Sequence, residues 1–186
     1  MEVLAFGDAA QWEAWLAEHC ASAAEAWLKI ARKGTGQVSV TPAQALDVAL
    51  CYGWIDSQRR SHDASWFLQR YSPRRRGSAW SRVNVERVEA LLAAGRMRAP
   101  GLAEVEAARA DGRWDAAYES QRTATVPPDL AAALAGDEPA RAFFESLGRT
   151  DRYAVILRLL KARGEAARAA ELRRMVALLR AGRRVG

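Results

Sequence analysis

Residues 41–71 read TPAQALDVALCYGWIDSQRRSHDASWFLQRY, and their reading decides the fold. Thr41-Pro42-Ala43-Gln44 is a helix entry: a capping threonine, a proline at the first helical position and a glutamine at the third. Leu46, Ala49 and Leu50 then recur at helical spacing, and Gly53 can stop the helix near Tyr52. Beyond it, Trp54–Arg60 and Ser65–Tyr71 both read as strands and flank the polar Ser61-His62-Asp63. They predict an antiparallel strand pair, with Trp66, Leu68 and Arg70 facing one way and Phe67, Gln69 and Tyr71 the other.

Working outward, Asp8 and Gln11 predict the start of a helix over 9–20, with Trp12, Trp15 and Leu16 on one face. Ala26–Lys33 reads as a strand that ends in a turn at Gly34 and Gly36. After a loop at Pro73–Ser78, a helix is expected over 81–94, carried by Val85, Val88, Leu91 and Leu92. Pro100 opens another that ends near Gly112. The rest predicts short helices over 128–135, 138–147, 151–163 and 165–181, with glycine at 136, 148, 164 and 182 between or after them. In the last pair, Tyr153, Ile156, Leu157 and Leu160 are expected to pack against Leu172, Met175, Val176 and Leu179, leaving Arg168, Arg173, Arg174 and Arg180 outside the stripe. The expected class is α+β: a small antiparallel sheet packed with helices in residues 1–125, and a helical region over 126–186 after the Val126-Pro127-Pro128 linker.

Forty alanines and seven tryptophans in 186 residues suit many helices around a modest core thickened by aromatics. The net charge is +6, and it is uneven: residues 54–98 alone carry +6, while residues 1–53 carry −3. A local anionic partner fits that distribution better than general basicity. The two cysteines, Cys20 and Cys51, do not form a disulfide framework, and with His19 and His62 they show no metal-ligand spacing. No metal and no cofactor is expected. The first 30 residues do not read as an export signal, and no apolar run reaches spanning length, so a cytoplasmic protein without membrane insertion is expected.

Residues 51–84 hold seven arginines and two acids, interleaved with aromatics. Three chemistries compete for them. Arg70, Arg74, Arg75 and Arg76 beside Trp66, Tyr71 and Trp80 suit nucleic acid, with phosphate pairing and base stacking. Asp56 with nearby arginines suits an uncharacterised enzyme. A small-anion or protein-partner site is the third and favoured choice. In it, Trp54 and Trp80 close a pocket, Asp56 fixes Arg70 or Arg74, Arg75 and Ser78 add donors, and Ser81 or Asn84 caps the following helix. That helix N-terminus would attract a phosphate or carboxylate. A purely structural role for Asp56, Arg74 and Asn84, locking the strand–loop–helix joint, stands beside it.

Gly53-Trp54-Ile55-Asp56, Gln69-Arg70-Tyr71-Ser72-Pro73-Arg74-Arg75 and Ser78-Ala79-Trp80-Ser81-Arg82-Val83-Asn84 together resemble the YdeI/OmpD-associated family of bacterial proteins. The resemblance continues through Arg87, Leu91, Gly95, Met97 and Gly101, and more loosely through Tyr153–Arg183, where Leu159–Arg163 departs from the usual segment. It implies a non-enzymatic protein associated with bacteriocin protection and tolerance of cationic antimicrobial peptides. No catalytic residue or cofactor comes with it.

Overall fold

A computed structural model of the chain describes residues 2–119, 121, 124–162 and 164–185. It divides into two compact units: Met1–Trp80 with Asn84–Ala116, and Ser81–Val83 with Ala117–Gly186.

The first unit is built on a four-stranded sheet of β1 (Val3–Leu4), β2 (Ala26–Ala31), β3 (Trp54–Ser61) and β4 (Trp66–Pro73), in the order β1-β2-β4-β3. β3 and β4 form the expected antiparallel pair, and β4 also runs antiparallel to β2. The sheet is mixed rather than purely antiparallel, because β1 pairs parallel with β2 through Val3–Trp27 and Leu4–Leu28. Two residues are too few to show any periodicity, so β1 has no signature in the sequence.

Register assigns the faces. Leu28, Ile30, Phe67, Gln69 and Tyr71 share one face, and Trp27, Lys29, Trp66, Leu68 and Arg70 share the other. The first face is covered by α1 (Ala9–His19) and α2 (Pro42–Cys51). Trp12 of α1 lies 5.7 Å from the Tyr71 ring and 6.4 Å, edge-on, from Trp54. Its indole N–H donates to the Ala45 carbonyl of α2 at 3.0 Å, which ties the two helices together over the sheet.

Both helices start as their sequences predict. Asp8 accepts from the Gln11 N–H, and Thr41 and Gln44 form a reciprocal capping box. The buried face of α2 is Ala45, Val48 and Ala49, extended by Leu50 and Cys51, whereas Leu46 is only half-buried. α3 (Arg82–Ala93) and α4 (Ala99–Ala110) complete the helices. Arg87 of α3 pairs with Asp47 at 2.7 Å, and Arg98, just before α4, pairs with Glu13 at 2.7 Å.

The second unit holds α5 (Pro128–Ala135), α6 (Glu138–Ser146), α7 (Arg149–Lys161) and α8 (Glu165–Arg180) around a core of Leu130, Leu134, Phe144, Leu147, Val155, Ile156, Leu159, Met175 and Leu179. On α7 the buried stripe is Val155, Ile156 and Leu159, so Leu157, Leu160 and Tyr153 fall at its margins. Arg163, the predicted end of that helix, lies outside the described residues. Asp137 caps α6 and also receives Arg180 of α8. Arg168 of α8 grips Asp129 through two hydrogen bonds of 2.7 and 3.0 Å and donates a third to the Leu159 carbonyl at 3.0 Å, which joins α5, α7 and α8. Among the described residues no helix is long and apolar enough to cross a membrane.

Candidate anion-binding site

The residues singled out between Trp54 and Asn84 do not gather around one point. Trp54 is 1% exposed, and its indole N–H donates to the Cys20 carbonyl at 3.2 Å. Trp12 and Trp15 both meet it edge-on, so it belongs to the aromatic core beneath the sheet.

Asp56 lies opposite Tyr71 in the ladder, on the helix-covered face. Arg70 is the next residue along β4 and therefore points to the other face. There it pairs with Glu25 at 2.6 Å and reaches the Ser57 hydroxyl at 3.2 Å, and its hydrogen bond holds the Glu25 carboxyl below the usual range. Asp56 forms neither the pair with Arg70 nor the pair with Arg74. Burial pushes its carboxyl up, opposed by its own backbone N–H and by the charges of Arg59 and Arg87. Burial, and then the Asp56 charge, push the Tyr71 phenol well above its usual range.

Arg74, Ser78 and Trp80 do come together. The Arg74 guanidinium is 7% exposed, lies 3.8 Å over the Trp80 ring and donates to the Ala79 carbonyl at 2.9 Å. The Ser78 carbonyl accepts from Arg113, which is 5% exposed and gripped by Asp111. Trp114 completes the cluster, 5.0 Å from Trp80. The Ser78 hydroxyl and the Trp80 indole N–H are buried there and, among the described residues, have no hydrogen-bond partner. Arg113 and Trp114 belong to the joint, yet they lie some thirty residues downstream in a stretch whose sequence carries no motif. Arg75 and Arg76 are exposed. Ser81 bridges to Tyr118 just before α3 begins, and Asn84 sits half-buried in the first turn of α3.

An open, cation-lined cleft lies at another edge of the same sheet. It encloses about 490 Å³ between the loop after β2, the start of α2 and the Arg59 and Phe67 side chains. Arg32, Lys33 and Arg59 line it, and among the described residues no carboxylate does. Arg59 is held in place. Its guanidinium lies 4.4 Å over the Phe67 ring, and its Nε donates to Gln69 at 2.9 Å. Gln69 is itself 2% exposed and anchored to the Gln58 carbonyl at 3.1 Å. That leaves the Arg59 Nη groups as donors of fixed direction. Arg32 is steadied by the Ser61 hydroxyl at 2.8 Å and the Asp63 carbonyl at 3.2 Å. Gly34 and Gly36 take φ of +85° and +72°, and among the described residues no atom beyond their own chain neighbours lies within 4 Å of where a Cβ would stand on either. The loop backbone is thus open to the cleft. Only the Lys33-Gly34-Thr35-Gly36 turn hints at this site in the sequence, because its walls come from residues 31–42, 59 and 67.

The other sheet face carries cations directly over aromatic rings: Arg60 lies 4.6 Å above Trp27 and Lys29 lies 4.8 Å above Trp66. Trp27 is 4% exposed and Trp66 is half-buried, so the rings are already covered by the side chains that would accompany stacking. Among the described residues no group of three or more potential ligands could hold a metal ion.

Residues 4–104 match the family described as Domain of unknown function (DUF8412), and the chain belongs to that family. Residues 123–182 match the family described as Bacteriocin-protection, YdeI or OmpD-Associated. The resemblance to YdeI/OmpD-associated proteins therefore holds, but over part of the chain, α5–α8. The Trp54–Asn84 motif that suggested it falls within the other match. No curated protein and no solved structure matches the chain.

Proposed function

We propose that this member of the DUF8412 family, with its YdeI/OmpD-associated helical region, is a non-enzymatic cytoplasmic protein of stress, antimicrobial-peptide or bacteriocin tolerance. It acts by binding a small anion between Arg59 and Phe67 of the Trp54–Asn84 region and the loop after β2, with Arg59 as the principal contact. The tolerance role rests on the YdeI/OmpD-associated match over residues 123–182. The binding role rests on one observation: a cleft of about 490 Å³ lined by three cations and no carboxylate, in which Arg59 is pre-aimed by Phe67 and Gln69. Charge-assisted bonds to a phosphate or carboxylate are the strong kind, and a rigid guanidinium loses little freedom in making them.

Calorimetric titration with inorganic phosphate and with citrate tests the reading. Saturable one-to-one binding of one of them is expected, weakened roughly tenfold by Arg59→Gln, as the loss of one charge-assisted bond implies. Binding of neither anion, or equal affinity in the variant, would refute it.

The alternative partner is nucleic acid. The excess of positive charge between residues 54 and 98 favours it. Binding of single strands with a steep salt slope, flattened in Arg60→Ala, would establish that partner instead. A catalytic use of Asp56 has less support, since its carboxylate lies on the helix-covered face beside Tyr71.

A further inference from the structure

A second cleft, within the helical unit, has a different character. It encloses about 440 Å³, within the range of small-molecule sites. Its apolar wall is Val126, Phe144, Leu147 and Ile156, and its charged groups are Arg149 and Arg152. The remaining polar side chains in the lining are occupied. Gln121 donates to the Thr150 hydroxyl at 3.1 Å, and the Tyr153 hydroxyl donates to the Glu119 carbonyl at 2.8 Å. Among the described residues the lining contains no carboxylate.

The two arginines differ in how they are held. Arg152 donates to the Phe144 carbonyl at 3.1 Å and also to the Glu145 carbonyl, so its charge is fixed at the C-terminal end of α6. Arg149 is exposed at the first position of α7 and, among the described residues, makes no ion pair. The cap of that helix is Gly148, which has no side chain to satisfy the first-turn N–H groups. Positive charge from Arg149, Arg152 and the α7 terminus therefore converges at one end of a cleft whose main wall is apolar.

We propose that this cleft binds an amphipathic carboxylate, a medium-chain fatty acid or a molecule of that chemistry. The chain lies on Phe144, Leu147 and Ile156, and the carboxylate meets Arg149 and Arg152. The apolar wall offers nothing to a polyanion or a sugar. The guanidinium pair rejects a cationic head group and gives a neutral one little; the one acid in the same turn, Asp151, is engaged by Arg184 at 3.2 Å. Both ends of the ligand are therefore specified. The site stands on different residues from the Arg59 cleft, and either can fail without the other.

The test is titration of the full chain with octanoate, 1-octanol and acetate, followed by calorimetry. Octanoate is expected to bind one-to-one, with acetate and octanol at least tenfold weaker. Arg149→Ala, at an exposed position, should weaken octanoate about tenfold and leave the fold intact. Val126→Trp, which fills the cleft from its exposed rim, should remove binding. Three results would overturn the proposal. These are no octanoate binding, octanol binding as tightly as octanoate, or octanoate binding unchanged in both variants.

Discussion

Gly101→Ala sets local propensity against packing, and the two forecast opposite signs. Gly101 is the third residue of α4, so by propensity alone alanine should stabilise the helix by about 1 kcal/mol. A Cβ built there lies 2.2 Å from the Cys51 carbonyl oxygen, 2.7 Å from the Cys51 carbonyl carbon and 2.8 Å from the Leu50 oxygen. These are backbone atoms at the end of α2, and no rotamer change moves them. The Cys51 oxygen also accepts the Arg98 N–H at 3.1 Å, so it is tied to the chain entering the same helix. Carbon–oxygen contacts settle near ~3.3 Å, so α4 must withdraw by about 1 Å from α2. Overpacking typically costs 1–3 kcal/mol, and an unyielding backbone belongs at the upper end, about 3 kcal/mol. Less the propensity gain, the net loss is about 2 kcal/mol. In a chain of this size that lowers Tm by roughly 4–8 °C.

Thermal unfolding followed by tryptophan fluorescence is the assay, since all seven tryptophans lie in the unit that contains α2 and α4. Ala103→Gly, at an exposed position of the same helix, reports propensity alone and should cost about 1 kcal/mol. If Gly101→Ala raises Tm while Ala103→Gly lowers it, propensity governs α4 and the close approach to α2 is wrong.

Three further outcomes follow from the side chains. Burial raises the Asp56 carboxyl, so the folded protein holds that proton more tightly than the unfolded chain. The associated stability is present at acid pH and lost as pH rises through the folded value; Asp56→Asn should therefore raise the urea midpoint at pH 7 and leave it nearly unchanged at pH 3. Asp129 behaves in the opposite way. The Arg168 hydrogen bonds lower its carboxyl, so its contribution is present above the unfolded value and lost as pH falls. Both groups of this pair are a third exposed, so a double-mutant cycle with Asp129→Ala and Arg168→Ala, read by circular dichroism, should give a coupling of only about 1 kcal/mol at pH 7 and near zero at pH 2.5. Ser78→Ala removes a buried hydroxyl that has no partner while keeping the carbonyl that receives Arg113, so its Tm should match or exceed that of the parent; a clear drop would mean that the hydroxyl is hydrogen-bonded in solution.

Local chemistry placed the elements. Caps, prolines and glycines marked Thr41, Asp8, Pro100 and the four C-terminal helices, and strand alternation placed Trp66, Leu68 and Arg70 on one face. What was illegible depended on long-range pairing. β1 exists only because Val3 and Leu4 complete the edge of β2. The expected stripe of Tyr153, Ile156, Leu157 and Leu160 and the buried stripe of Val155, Ile156 and Leu159 share Ile156 but differ in rotation, which the packing partners of α7 decide. The joint at Arg74 needed Asp111, Arg113 and Trp114, which no local pattern links to it.

The Asp56–Arg70 pair is instructive because alternation already argued against it. Once β3 and β4 form a ladder that ends Trp54–Pro73, Ile55–Ser72, Asp56–Tyr71, the partner of Asp56 on its own face is Tyr71, and Arg70 belongs to the far side. An arginine count along the chain mixes both faces and the loop, and it treats as one patch what the fold separates. Arg70 answers Glu25 on the outer face, Arg74 covers Trp80 in the joint, and Arg59 alone of the three lines an open cleft. The register shift between Asp56 and Arg59 inserts one extra residue in β3, and this restores Arg59 to the face of Gln69 and Phe67 that leads to the cleft. Without the shift, Arg59 would stand on the outer face beside Arg70. The bulge, and not the density of arginine, is therefore what separates a guanidinium that can meet a ligand from those that hold the sheet together.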